Sequence, residues 1–208
     1  MAEEPKVCAW AMHQPLEREY HDTEWGQVVT DDTVLFEFIT LEGAQAGLSW
    51  YTILKRREAY RQAFAGYDLK QLAEWGDQEA ETILTGFDII RHRGKVNSVF
   101  SNARAALALQ QEFGSLSAAL WQFVDGVPIN HRWESMDQVP ASSEASKAMS
   151  KFLKKRGFKF VGETICYALM QAVGMVNDHL VDCYCYERAV MSQGAATGGT
   201  DNEKSIEG

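Results

Sequence analysis

The apolar spacing around residue 40 constrains this chain most. Leu35, Phe38, Ile39 and Glu42 recur at i, i+3, i+4 and i+7, the period of a helix. Asp31 or Asp32 is a suitable N-cap, and Gly43 and Gly47 then interrupt the pattern. A second helix starts near Ser49 and puts Ile53, Leu54, Arg57, Tyr60 and Phe64 on one side. Weaker helical patterns cover 68–75, 77–86, 92–111 and 115–123. Two stronger ones follow. Glu144–Arg156 turns Ala145, Ala148, Met149, Phe152 and Leu153 inward and stops at Gly157. Glu163–Val173 turns Ile165, Cys166, Leu169, Met170 and Val173 inward and stops at Gly174. Alternating β-branched runs are nearly absent, so the predicted fold is all-α. No repeat or linker divides the chain, and residues 1–190 read as one domain. From Met191 the sequence is small, polar and glycine-rich, and 191–208 is expected to be a disordered tail.

The bulk numbers narrow the class. The 208 residues suit one compact domain, and 46% apolar with 24% charged residues is ordinary for a globular protein. No stretch approaches the ~20 apolar residues that cross a bilayer. The start, Met1-Ala2-Glu3-Glu4-Pro5, is acidic and lacks an apolar run, so a cytoplasmic location is expected, with no membrane partner. Nothing demands more than a monomer. Cys8, Cys166, Cys183 and Cys185 are then thiols or metal ligands. The net charge of −9 argues against nucleic acid only if the basic residues are dispersed, and 14 of the 20 Lys and Arg fall in three groups. These are Lys55, Arg56, Arg57 and Arg61; Arg91, Arg93, Lys95 and Arg104; and Lys147, Lys151, Lys154, Lys155, Arg156 and Lys159. Each is either a solvated helix face or part of a polyanion-binding surface.

Three constellations carry chemistry. The helical phase of Glu42 sets a carboxylate on the apolar stripe, where an unpaired charge costs several kcal/mol. Either it bonds backbone amides at the helix end, or it lines a polar pocket and accepts from a ligand. Trp10, Tyr20, Trp25, Trp50 and Tyr51 crowd the first quarter of the chain. They are either ordinary core or flat walls for an electron-poor ring. His179 and Cys183 are an i, i+4 pair, and Cys8 and His21 supply two more ligand-type side chains from the other end. Two sulfurs and two imidazoles suit tetrahedral Zn2+ with no open position, a structural staple between the termini. The other reading is two thiols and two surface histidines, and Cys185 is a possible substitute for Cys183. Finally, Lys151 through Cys166 reads as helix, glycine-bounded turn, helix. Either Gly157 and Gly162 let a phosphate approach while Lys155 and Lys159 add charge without reading sequence, or the segment is an αα-hairpin with a solvated basic face.

Several segments together resemble the DNA-3-methyladenine glycosylase I family of the helix-hairpin-helix glycosylase superfamily. They are Cys8-Ala9-Trp10, Tyr20-His21-Asp22-Thr23-Glu24-Trp25-Gly26, Leu41 through Trp50, Ile90 through Lys95, Lys154 through Gly162, and Val176-Asn177-Asp178-His179. They stand in the family's order between about residues 8 and 186, leaving out the tail. The resemblance implies an all-α, helix-hairpin-helix glycosylase-like fold with a zinc-stapled lobe built from both terminal segments. It puts Cys8, His21, His179 and Cys183 on the family's zinc positions. It puts Glu42 where the base is recognised, with Tyr20, Trp50 and Trp10 as walls, and Gly47 and Leu48 beside the gap left in the duplex. The implied partner is double-stranded DNA containing alkylated adenine.

One departure matters. Better-known superfamily members have a Gly-hydrophobic-Gly turn and a downstream aspartate that supports hydrolysis; here the turn runs from Gly157 to Gly162. Asp178 is the nearest acid, but it precedes proposed ligand His179 and is expected to orient something near the metal. The implied reaction needs little acid–base help, because 3-methyladenine in DNA is cationic and leaves as a neutral base. Glu42 is the expected catalytic residue, accepting from the adenine amine. Two alternatives stay open: a glycosylase for a broader set of alkylpurines, and a zinc-containing DNA-binding module without catalysis.

Overall fold

The computed structural model describes residues 6–197. Eleven α-helices among them fold around one apolar core. After a 3-10 turn at Ala9–Met12 come α1 (Pro15–Thr23), α2 (Asp32–Gln45), α3 (Trp50–Leu54) and α4 (Arg57–Ala63). Next are α5 (Leu69–Glu74), α6 (Asp77–Gly86), α7 (Arg93–Phe113) and α8 (Leu116–Trp121). The chain closes with α9 (Glu144–Lys155), α10 (Glu163–Ala172) and α11 (Cys185–Thr197). No helix is long and apolar enough to cross a membrane.

Helix α2 is the spine. Asp31 caps it by accepting from the Val34 amide at 2.9 Å, while Asp32 reaches away to accept from the Leu116 and Ser117 amides at the start of α8. Every residue from Leu35 to Ala44 is buried. The expected one-sided stripe is thus replaced by burial on all faces, the pattern of a helix inside a domain. Gly43 does not break the helix, which continues to Gln45. Its missing side chain serves close packing instead: a Cβ there would lie 3.3 Å from Cβ of Phe160. The helix expected from Ser49 is two short ones, with Lys55 and Arg56 between them.

Helices α9 and α10 form an antiparallel hairpin. Ser143 caps α9 and accepts from the Ser146 amide at 3.1 Å. At the other end the Phe158 amide donates to the Leu153 carbonyl and Gly157 to Lys154, at 3.0 and 3.1 Å. This is the paired bonding of a Schellman stop, and it requires the left-handed φ of +91° that Gly157 adopts. Asn102 of α7 clamps the turn from below. It donates to the Lys159 carbonyl at 3.1 Å and accepts from the Lys159 amide at 2.8 Å, beside Phe160 with its φ of +56°.

Three features escaped the sequence pattern. α1, with Pro15 in its first turn, carries Tyr20 and His21. Ile129–Asn130 (β1) and Val176–Asn177 (β2) pair in parallel, too short to leave any alternation. Helix α11 runs through Met191 to Thr197, so the expected tail begins as helix; Ala189, Val190 and Met191 continue the helical run without a capping break. Residues 198–208, the rest of that tail, lie outside the described residues.

Candidate functional site

A cavity of about 260 Å³ opens between α1, α2, α3 and α10, lined by Trp10, Tyr20, Trp25, Glu42, Trp50 and Gln171, with Met136 at its side. That is several times the ~30 Å³ share of one water. A second hollow, under the hairpin turn beside Lys95 and Phe160, measures about 10 Å³ and holds at most a single water.

The helices bring the aromatic rings together. Tyr20 and Trp50 lie 5.3 Å apart between centroids, and Trp10 sits edge-on to Trp25 at 5.1 Å. Five buried side-chain polar atoms lack a partner among the described residues, and three of them, Tyr20 Oη, Glu42 Oε2 and Trp50 Nε1, belong to residues that line this one cavity. Buried polar groups are normally satisfied, so three orphans around one hollow mark a place built to receive a polar ligand. Glu42 does not bond the amides beyond Gly43. Burial without a compensating charge raises its pKa to about 8, so an empty pocket holds it largely neutral at pH 7. Burial likewise pushes the Tyr20 hydroxyl well above its ordinary value, with the Glu42 charge adding to it.

Beside the cavity, Cys8, His21, His179 and Cys183 converge, all buried, with ligand atoms within 4.8 Å of one another. His21 Nε2 lies 3.2 Å from His179 Nδ1 and 3.5 Å from Cys183 Sγ, and His179 Nδ1 lies 3.8 Å from Cys183 Sγ and 3.9 Å from Cys8 Sγ. The edges of a tetrahedron around a zinc-sized ion are about 3.3 Å for N–N and about 3.6 Å for N–S, so the donor set fits such an ion. The outer nitrogens are already engaged. His21 Nδ1 pairs with Asp22 Oδ1 at 2.7 Å, and His179 Nε2 with the Trp25 carbonyl at 3.1 Å. Each partner is an acceptor, which leaves the lone pair of the inner nitrogen for a metal. Cys185 is not an equivalent of Cys183: it lies on the Nδ1 side of His21, 3.9 Å away, and 4.0 Å from Asp22.

The expectation that Asp178 orients or caps something near the metal fails: it bonds none of the four clustered side chains, and Asp22 is the acid that pairs with His21. Asp178 instead gathers four partners in the interior: His131 Nδ1 at 2.6 Å and Trp133 Nε1 at 2.8 Å on one oxygen, Tyr167 Oη and Gln171 Nε2 at 2.7 Å on the other. Burial alone would raise its pKa, but these bonds hold the carboxyl below its ordinary value. With four partners it has no free lone pair for a reacting water.

The basic groups separate. Arg56, Arg57 and Arg61 are taken up by Asp88, Glu24 and Glu37. Arg93 pairs with Glu81, Arg104 caps the end of α5, and Lys95 donates to the Ala44 and Ala46 carbonyls at 2.8 and 2.9 Å. In the third group Lys147 and Arg156 pair with Glu144 and Glu112. Lys151, Lys154, Lys155 and Lys159 are exposed and make no ion pair among the described residues. Gly157 is exposed beside them, and Gly162 N-caps α10 without a side-chain bond, leaving its first amides open. Gly47 and Leu48 form an exposed bend after α2, with Leu48 41% exposed, held in place by Lys95. Asp22, Asn102 and Gln171 were missed from sequence. Only Asp22, adjacent to His21, had a local signal.

Comparison with known proteins gives a consistent result. The methyladenine glycosylase family profile matches residues 10–186. The chain is 48% identical over 179 residues to DNA-3-methyladenine glycosylase 1 of Escherichia coli strain K12, covering 86% of this chain and 96% of that one. A crystal structure of a 3-methyladenine DNA glycosylase I superposes with a TM-score of 0.84 at 50% identity, covering 87% of this chain and 100% of the other. A Staphylococcus aureus enzyme described in terms of 3-methyladenine recognition superposes at 0.85 with 34% identity, covering 88% and 97%.

Proposed function

We propose, because the chain belongs to the methyladenine glycosylase family, that it hydrolyses the N-glycosidic bond of 3-methyladenine in alkylated DNA and leaves an apurinic site. This is a base-excision repair step by a monofunctional glycosylase. The observation that carries the placement of the reaction is the set of three unpartnered polar atoms, on Tyr20, Glu42 and Trp50, in one aromatic cavity.

The chemistry follows from charge. The lesion is cationic, so its base leaves neutral and needs little general-acid help. The enzyme must extrude the nucleotide, at a cost of a few kcal/mol, and hold the base. Trp50, Tyr20 and Trp10 offer π-faces that attract a cationic ring. Glu42 accepts from the exocyclic amine, and an arriving positive charge favours its carboxylate over the neutral acid of the empty pocket. The pocket therefore rewards a cationic purine more than a neutral one.

The remaining surfaces grip DNA. Leu48, on its bend after Gly47, fills the space vacated by the extruded nucleotide. The α9–α10 turn acts as a helix-hairpin-helix element: the open amides after Gly162 and the close approach at Gly157 take a phosphate, and Lys155 and Lys159 add positive charge. Cys8, His21, His179 and Cys183 would hold Zn2+, which supplies folding free energy by tying α1 to the segment before α11. Metal analysis should find one zinc per chain, lost in Cys183→Ser together with a lowered melting temperature; a metal-free chain of equal stability would refute the staple.

Chromatography of bases freed from methylated duplex DNA tests the central reading. The parent protein should release 3-methyladenine, and Glu42→Gln should release it far more slowly. Full activity in Glu42→Gln would move the base out of this cavity.

A further inference from the structure

Gln171 lies one turn beyond Ala168 on α10, and both line the cavity. Its amide cannot turn freely. Nε2 donates to Asp178 Oδ2 at 2.7 Å. The Tyr167 hydroxyl meets that same oxygen at 2.7 Å, so the oxygen is an acceptor twice over and the amide must present its NH2 group there. Asp178 is itself held from the other side by His131 and Trp133, and its side chain is fully buried. The side-chain carbonyl oxygen of Gln171, Oε1, has no donor among the described residues, whereas its backbone carbonyl accepts from the Gly26 amide. Nε2 is anchored by one of its two N–H groups, so Oε1 is the acceptor of the amide left for a ligand.

We propose that Gln171 is a specificity-determining residue whose carbonyl oxygen is a second acceptor for the evicted purine, and that Asp178 is the positioning residue that fixes the amide with that oxygen available. The inference rests on the reading of this cavity as the base pocket. Asp178, saturated by its four partners, acts only through what it holds. A hydrogen bond to a carboxylate polarises the Gln171 amide and makes its carbonyl oxygen more negative. Two acceptors, Glu42 and Gln171, then face one ring. They suit a cationic alkylated purine, whose positive ring makes its amine a stronger donor, better than they suit neutral adenine. A site built around such bonds discriminates most sharply against a ligand that cannot complete them.

The test uses the full metal-loaded chain. Binding of 3-methyladenine in its protonated, cationic form and of neutral adenine is titrated by tryptophan fluorescence, in a buffer acidic enough to protonate the first and not the second, since Trp10, Trp25 and Trp50 line the pocket. The parent is compared with Gln171→Met, Gln171→Glu and Glu42→Gln. Gln171→Met keeps the shape and removes both polar ends. It should weaken 3-methyladenine at least tenfold and adenine far less, so that the selectivity ratio falls while the melting temperature stays close to the parent's. Gln171→Glu keeps an acceptor but sets a second carboxyl against Asp178, so the side chain must swing away or take up a proton. It should lose the same selectivity. If Gln171→Met binds 3-methyladenine like the parent while Glu42→Gln does not, the role of Gln171 falls and the pocket stands. If Gln171→Met loses selectivity and Gln171→Glu retains it, the positioning by Asp178 is overturned. If Gln171→Met and Glu42→Gln both bind like the parent, the base pocket itself is wrong.

Discussion

Glu37 and Glu42 lie five residues apart on α2, 4% and 3% exposed, and their surroundings could hardly differ more. Glu37 is held by Arg57 Nε at 2.7 Å and by Arg61 Nη2 at 3.1 Å, and Arg57 is shared with Glu24. Glu42 has no cation beside it, and one of its oxygens has no partner. The first is a buried charge compensated inside the fold. The second is compensated by nothing among the described residues, and it lines a cavity. Burial alone therefore does not single out a candidate functional acid; burial without a partner, beside a hollow, does.

The contrast breaks first at Glu37. Glu37→Gln keeps Arg57 on Glu24 and leaves Arg61 half exposed, so what is lost is charge-assisted hydrogen bonding to Glu37, about 2–3 kcal/mol. Urea unfolding should show that loss, while base release per folded molecule stays near the parent's. A marked fall in base release per folded molecule would erase the functional distinction between the two acids.

Glu42→Gln should do the reverse. Its pKa of about 8 in the fold lies above its unfolded value, so the folded state binds more protons across that interval. Stability is then fully present below the unfolded pKa and falls as pH rises through about 8. Each unit of that shift is worth ~1.4 kcal/mol. The Glu42→Gln variant, which cannot ionise, should be about 1–3 kcal/mol more stable than the parent at pH 9 and no more stable at pH 4. Equal pH profiles would mean that Glu42 is ionised in the empty pocket.

A smaller effect follows for ligand capture. If the carboxylate form is the one that receives a cationic base, affinity for a permanently cationic lesion should rise about tenfold between pH 7 and pH 9 and then level off. Glu42→Gln should flatten the curve. The smallest effect lies farthest away: Lys159→Ala should lower the salt dependence of duplex binding by about one phosphate contact, a slope change of ~0.9, without altering free-base selectivity. A selectivity change there would show that the hairpin and the pocket are not separable.

Much of this was legible because the signals are local. Asp31 caps α2 where its side chain reaches the next turn, and Gly157 stops α9 because its left-handed backbone disfavours other residues. Gly43 misled for the converse reason. A glycine reads as a break, yet this one stays helical because Phe160, distant in sequence, packs against its bare Cα. Asp178 misled because adjacency to His179 says nothing about direction: neighbouring side chains diverge, and its partners are Tyr167, Gln171, His131 and Trp133. The basic groups looked alike in sequence, and only the positions of Glu24, Glu37, Asp88 and Glu81 separate the pinned cations from the exposed ones.

The sequence by itself determined most of the helices, the cap at Asp31, the stop at Gly157 and the residue types that meet at each site, because periodicity, capping and ligand chemistry are written in near neighbours. The tertiary structure alone decided which buried acid is paired, which cations are spoken for and which way the Gln171 amide points. Those outcomes depend on side chains tens of residues away arriving within 3 Å, and hydrogen bonding and charge compensation at that range have no period a linear pattern can record.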